Sequence, residues 1–338
     1  MNFKVSELLT ALLAAAGFVV IVAGIQAAAP IIIPFLLAIF IASLSAPLLY
    51  WLQRFRVPNA LAVFIIFLGL LVVALLLMTF AGRSLNSLSR QLPTYQERLA
   101  GLITYGIAWL NSQGADIDPN NFLLTDYFSP RVIMNLVSYG LSILRVLFTN
   151  MFLVLLTVLF ILLETSGFAQ KLATAFPDPE IHEHFRAISA NVNRYMGFKA
   201  LLSLATGVSI WILLAIIGVE FPGTWGLLAF FLNFIPAIGS IIAAIPAILW
   251  ALVQLGFSSA LLTLLAYLAV NIIIGNFLDP RIIGRKLGLS PLVVIISLIF
   301  WGWVLGPIGM LLSVPLTMIV KIALGTRADT RWLAVLLE

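Results

Sequence analysis

Long apolar runs separated by short charged connections dominate the chain from Leu8 to Val320. Six of them, Leu8–Ala29, Ile31–Leu52, Ala60–Ala81, Leu147–Leu163, Ala200–Gly218 and Ser258–Leu278, hold 17 to 22 residues each. One helix needs about 20 apolar residues to cross a bilayer, and only closed hydrogen-bonded structure survives there. The pattern predicts an all-α integral membrane protein, a polytopic helix bundle. Pro30 and Pro34 open the second span, Pro47 lies inside it, Arg54 and Arg56 close it, and Pro58-Asn59 starts the third. Ala27-Ala28-Ala29 resembles a small-residue cleavage site. The apolar run before it is longer than a signal-peptide core and another span follows at once, so it reads as a retained anchor.

Two further apolar stretches, Thr224–Gln254 and Pro291–Val320, are about thirty residues long, too long for one upright helix. Each carries the same phrase. The first reads Ile235-Pro236-Ala237-Ile238-Gly239, then an apolar run to Pro246; the second reads Leu305-Gly306-Pro307-Ile308-Gly309, then an apolar run to Pro315. Pro lacks an amide donor and Gly tolerates unusual backbone angles, so each phrase predicts a break between two half-helices. Broken backbone at membrane depth persists only inside protein or against a cavity, and paired broken segments point to a transporter binding site.

The polar stretches are read more modestly. Residues 83–145 carry Leu85, Leu88, Leu92, Tyr95, Leu99 and Leu102 at steps of three and four, the spacing of a helix seam. Pro93 predicts two helices meeting there. The segment reads as an amphipathic helix pair on the membrane domain, with a lid or an oligomer contact as the alternative. Glu164–Lys199 places Phe185, Ile188, Val192 and Tyr195 at helical spacing, an amphipathic helix at the membrane surface. His182 and His184, the only histidines, stand two residues apart on different helix faces, a poor metal pair.

Composition narrows the function classes. Charged residues make up 9% of the chain, against about 25% in soluble domains. The basic residues are scattered over membrane loops, where they set orientation, so nucleic-acid binding is not implied. Without cysteine there is no thiolate chemistry and no Cys-based metal site. No Gly-x-x-x-x-Gly-Lys-Ser/Thr pattern occurs, which argues against ATP-driven pumping. No Ser–His, Asp–Asp or His–Glu set stands inside a span, so an intramembrane enzyme is not expected, and a scaffold would not need paired broken hairpins. No cofactor and no metal site are expected.

Lys and Arg in short loops orient the spans. One arrangement puts thirteen basic residues inside, among them Lys4, Arg54, Arg56, Lys199, Arg285, Lys286 and Lys321; the five left outside all lie in residues 83–145. Both termini are then cytoplasmic. Residues 1–82 form a three-span region, 83–145 a periplasmic segment, 146–165 the fourth span, 166–199 a cytoplasmic helix, 200–320 the core and 321–338 a cytoplasmic tail. The hairpin 224–254 starts and ends outside, and the hairpin 291–320 starts and ends inside. A span plus an outer hairpin is followed by a span plus an inner hairpin. This is an inverted repeat, suited to alternating access.

The ordered residues of the C-terminal part also resemble a known family. Asn233-Phe234-Ile235-Pro236-Ala237-Ile238-Gly239, Asp279-Pro280-Arg281-Ile282-Ile283-Gly284-Arg285, Leu287-Gly288-Leu289-Ser290-Pro291-Leu292, and then Gly302, Gly306, Pro307, Gly309, Met310 and Pro315 carry the likeness. Ile33-Pro34-Phe35-Leu36-Leu37-Ala38 and Arg56-Val57-Pro58 extend it to the N-terminus. The chain resembles the autoinducer-2 exporter family, the PerM-like permeases. The resemblance implies a bacterial inner-membrane permease that exports the small polar signal autoinducer-2 and assembles as a homo-oligomer. Some relatives resemble sodium or proton antiporters, which keeps a cation/proton antiporter as the alternative. Many members have His where this chain has Ser290, so a proton-coupling role for that His has no counterpart here.

Polar groups deep in spans are few and informative. Asn233 and Asn271 offer amides that suit a neutral hydroxylated solute, or interhelical hydrogen bonds. Asn276 reads as the latter. Pro236, Gly239, Gly306, Pro307 and Gly309 are expected to serve as hinge or substrate pathway, and Gly302 as helix packing. Asp279 and Arg281 are a candidate gate pair or an ordinary helix end. Glu164, at a span end, is the candidate for cation coupling. An antiporter would need carboxylates near the midplane, and the acids here lie at span ends or in loops.

Overall fold

Among the described residues every regular element is a helix. The computed structural model describes residues 7–114, 150–175, 179–236, 238–278, 289–325 and 330–337. Helix α1 spans Glu7–Ala27 and α2 Ala29–Arg54. Proline near the start of α2 fits the first turn, where amides have no helical partner anyway. The α2–α3 turn uses Arg56 in the left-handed region, at φ 60°, and Gln53 Nε2 donates to Asn59 Oδ1 at 2.9 Å across it.

Helix α3 runs from Asn59 to Ser112, 54 residues or about 80 Å at about 1.5 Å per residue. Only Asn59–Phe80 is apolar enough to cross a membrane. The helix continues through Pro93, where the sequence predicts a break. Nucleation is the costly step of helix formation and extension is cheap. A span already formed therefore carries its helix past one missing hydrogen bond. The rest of the segment 83–145, beyond Gly114, lies outside the described residues.

Helix α4 covers Met151–Ala175 and α5 Pro179–Ile217. The amphipathic segment and the span that begins near Ala200 are thus one rod, whose part Val192–Ile217 is long and apolar enough to cross. Then come α6 (Pro222–Leu232), α7 (Gly239–Leu255) and α8 (Phe257–Val270). A π-helical stretch, Asn271–Leu278, continues α8 directly. Helices α9 (Pro291–Leu311), α10 (Ser313–Gly325) and α11 (Arg331–Leu336) complete the chain.

Two compact units emerge. One holds Met1–Phe67, Phe152–Asn193 and Gly288–Glu338; the other holds Leu68–Met151 and Arg194–Leu287. The predicted hairpins fall in different units. Large apolar side chains such as Ile31, Phe152, Ile216 and Phe257 are more than three-quarters exposed, as lipid-facing positions require. The interior favours small residues, which let helices approach closely. At the crossing of α5 and α6, a Cβ on Gly207 would stand 2.8 Å from the Gly226 carbonyl oxygen, and one on Gly226 would stand 2.7 Å from that of Gly207.

Candidate functional site

The first hairpin is built from half-length helices. Helix α6 has 11 residues and α7 has 17, about 16 and 25 Å, both short of the roughly 30 Å hydrocarbon core. Its two ends meet. Gln254 accepts from the Glu220 backbone N–H at 2.8 Å and donates to the Gly218 carbonyl at 3.2 Å. Above this clasp, Trp225 and Trp250 pack with ring centroids 6.2 Å apart. Residues 218–220 and 254 therefore lie at one level, and the chain between them goes in and returns.

The break lies between Leu232, which ends α6, and Gly239, which begins α7. The Ile235 N–H donates to the Leu232 carbonyl at 2.9 Å and the Gly239 N–H to the Ile235 carbonyl at 3.2 Å. Gly239 is buried, and a Cβ there would overlap the Leu232 carbonyl oxygen. Only a residue without a side chain lets the second arm start so close to the end of the first. Asn233 is buried and its Nδ2 donates to Ser203 Oγ of α5 at 3.0 Å. That is the interhelical tether, one of the two roles open to Asn233 in the sequence.

Asn271 is placed differently. It is half-buried, begins the π-helical stretch, and lines a small cavity of about 10 Å³ with Thr206 and Ile210 of α5, Ala229 of α6, Ser240 of α7, and Tyr267 and Val270 of α8. The volume suits one water-sized group. Its lining mixes hydroxyls and a carboxamide with apolar walls, and no charged side chain contributes. Such a wall hydrogen-bonds a neutral group and disfavours an ion, whose desolvation nothing there offsets. Ser240 directly follows Gly239, so the hinge of the first hairpin and the cavity share a wall. Among the described residues no cluster of three His, Cys, Asp or Glu exists that could hold a metal.

The second hairpin repeats the device in the other unit. Gly306 sits at φ 65°, ψ −152° inside α9, a backbone region open in practice only to glycine. The chain reverses there. Trp301 Nε1 donates to Thr317 Oγ1 at 3.0 Å, a contact between residues 16 apart that a straight helix forbids. Gly309 is buried, and a Cβ on it would overlap the Trp301 carbonyl oxygen. A Cβ on Gly302 would press Met310 at 2.8 Å, so Gly302 serves packing between the arms. Helices α1 and α2 wrap this break. Val22, Val304 and Leu305 form a buried apolar cluster flanked by Ile25, Ile33 and Trp301. Ser290 caps α9, its Oγ accepting from the Val293 N–H at 3.3 Å.

Of the residues expected to serve transport, Asn233, Pro236, Gly239 and Asn271 fall in one unit, and Gly306, Pro307 and Gly309 in the other. Glu164 is exposed on α4 and is not among the residues that line the cavity beside Asn271. Asp279 and Arg281 lie outside the described residues. Tyr267, Ser240 and Thr206 escaped the sequence reading. One signal was available: Thr263, Tyr267 and Asn271 stand four residues apart within an apolar span, a polar stripe on a single helix face.

The chain matches known proteins along nearly its whole length. The model of a family described as AI-2E family transporter matches residues 12–328. The AI-2 transport protein TqsA of Escherichia coli (strain K12) is 45% identical over 323 residues, 95% of this chain and 93% of that one. YhhT of the same strain is 36% identical over 328 residues, 96% and 93% of the two chains. YrrI of Bacillus subtilis (strain 168) is 26% identical over 316 residues, 86% and 85%. With spans, broken hairpins and a match of this extent, the chain belongs to the AI-2E family of transporters.

Proposed function

We propose that this multi-pass bacterial membrane protein exports autoinducer-2, a small neutral polar signal, from the cytoplasm across the inner membrane. The choice of cargo is carried by the 45% identity to TqsA over 95% of the chain. The geometry supports a solute of this kind, because the cavity beside the first hairpin is polar but uncharged. Two hairpins pinned by glycine on carbonyl oxygens would be the moving parts. In the orientation given by the loop charges, they enter from opposite faces as an inverted repeat, and both termini are cytoplasmic.

The coupling is facilitated diffusion down the solute's own gradient. An antiporter needs an ionisable group inside the spans. Among the described residues the buried polar set comprises Ser, Thr and Asn with the single cation Lys199, and no carboxylate. The test is flux of labelled autoinducer-2 in proteoliposomes, with and without an imposed proton or sodium gradient. Expected is flux that follows the solute gradient alone. A strict requirement for an ion gradient would overturn the facilitated mechanism, and no flux under any condition would overturn the cargo.

A further inference from the structure

The polar stripe on α8 is unusual in its hydrogen bonding. Thr263 is fully buried and Tyr267 is 5% exposed, yet neither hydroxyl has a hydrogen-bond partner. Three other helical threonines bond back to the carbonyl four residues earlier: Thr79 to Leu75 at 2.9 Å, Thr157 to Leu153 at 2.8 Å and Thr206 to Leu202 at 2.9 Å. Thr224 of α6 is a further buried hydroxyl without a partner, but it lines no part of the cavity beside Asn271. A buried hydroxyl without a partner is unfavourable, the more so in a membrane interior. Tyr267 lines the cavity, where an entering hydroxyl would supply the missing partner, and Thr263 stands one turn away on the same face.

The surroundings fit this. The α-helix gives way to π-helical backbone at Asn271, one turn after Tyr267, and such changes of winding cluster at functional sites. Gly275 makes room for the Asn271 side chain: a Cβ there would stand 2.8 Å from Oδ1. Thr206 Oγ1 already donates to Leu202, so it faces the cavity as an acceptor. Ser240 comes from the arm of the hinged hairpin. The set Tyr267, Asn271, Ser240 and Thr206 presents donors and acceptors from three elements to one water-sized space.

We infer that this cluster is a hydroxyl-binding subsite for the transported solute, with Tyr267 as its central donor, and that it takes neutral polyhydroxylated molecules and rejects anions. The inference rests on the transporter reading and deepens it. One hydroxyl of the solute enters the space in this conformation, and withdrawal of the Ser240 arm admits the rest. Thr263 lies one turn further along the same face and extends the polar track.

Tyr267→Phe keeps the ring and removes only the hydroxyl. In proteoliposomes its KM for labelled autoinducer-2 should rise about tenfold with Vmax unchanged. Its melting temperature should equal or exceed that of the wild type, since no protein partner is lost. An unchanged KM beside active wild type would overturn the subsite and leave the export function standing. A lowered melting temperature would show that the hydroxyl serves the fold, which also overturns it. If the wild type itself carries no autoinducer-2, the cargo fails, and the subsite is judged by binding. Neutral threitol should then raise the melting temperature of the purified wild type but not of Tyr267→Phe, and the charged threonate should raise neither. Equal shifts in both proteins would overturn it.

Discussion

The two broken hairpins share a joint and differ in everything around it. In both, a buried glycine rests on a carbonyl of the preceding arm, Gly239 on Leu232 and Gly309 on Trp301. The first break lies between the end of α6 at Leu232 and the start of α7 at Gly239, tethered outward to α5 and adjoining a polar cavity. The second turns on one residue, Gly306, next to Val304 and Leu305, which pack with apolar side chains of α1 and α2, and it is tied to itself through Trp301 and Thr317. One sequence phrase thus makes the same mechanical joint in two chemical settings. The wet joint is suited to meeting solute, and the dry joint to moving as a packed piece. Hydrogen bonds to a neighbouring helix can exchange during motion, while apolar packing slides without leaving polar groups unpaired.

The largest effect is expected where the two joints are alike. Gly239→Ala and Gly309→Ala each place a methyl into a backbone carbonyl that cannot rotate away. Overpacking of this kind costs about 3 kcal/mol. Both variants should lose flux and melt well below the wild type in detergent or nanodiscs. If one is tolerated while the other is not, the shared joint is an accident of sequence and the comparison fails.

The next effect separates the joints. Gly306 has open space around its missing Cβ but a backbone that other residues rarely adopt. Gly306→Ala should cost about 2 kcal/mol as strain alone. No residue of the first break has positive φ among the described residues, so Pro236→Ala there should cost less. Paired thermal melts of the two variants check the order. A Gly306→Ala protein as stable as the wild type would show that the second hairpin does not depend on its glycine.

The joints were legible before the fold because they are local. Pro236, Gly239, Gly306, Pro307 and Gly309 act within one turn of chain, and a duplicated phrase betrays them. What surrounds the joints was not legible, because it depends on long-range packing. Nothing in Val22 or Ile33 announces that they pack with Val304 and Leu305. Tyr267 passed as an aromatic of an apolar span, since its lack of a partner exists only in three dimensions. The π-helical stretch Asn271–Leu278 has the composition of any membrane helix. Pro93 misled for the opposite reason: a rule about isolated helices met one already extended from a span. Asn233 and Asn271 looked equivalent in sequence, and only their neighbours, Ser203 for one and a cavity for the other, separate them.

The smallest effect bears on the difference most directly. The ties Asn233–Ser203 and Trp301–Thr317 are both single hydrogen bonds of 3.0 Å. Bonds of this kind inside membranes contribute about 0.6 kcal/mol, so double-mutant cycles over either pair should give similar, small coupling energies. Their effects on flux should not be similar. The first bond joins the hairpin to α5 and must break if that hairpin moves against it. The second joins two arms of one hairpin and survives if the hairpin moves as a unit. Ser203→Ala should therefore raise Vmax by up to about threefold, the rate equivalent of releasing a bond of that strength. Thr317→Val should leave Vmax within error. If Thr317→Val accelerates flux and Ser203→Ala does not, the arms of the second hairpin part during transport while the first hairpin stays fixed to α5, and the comparison is reversed.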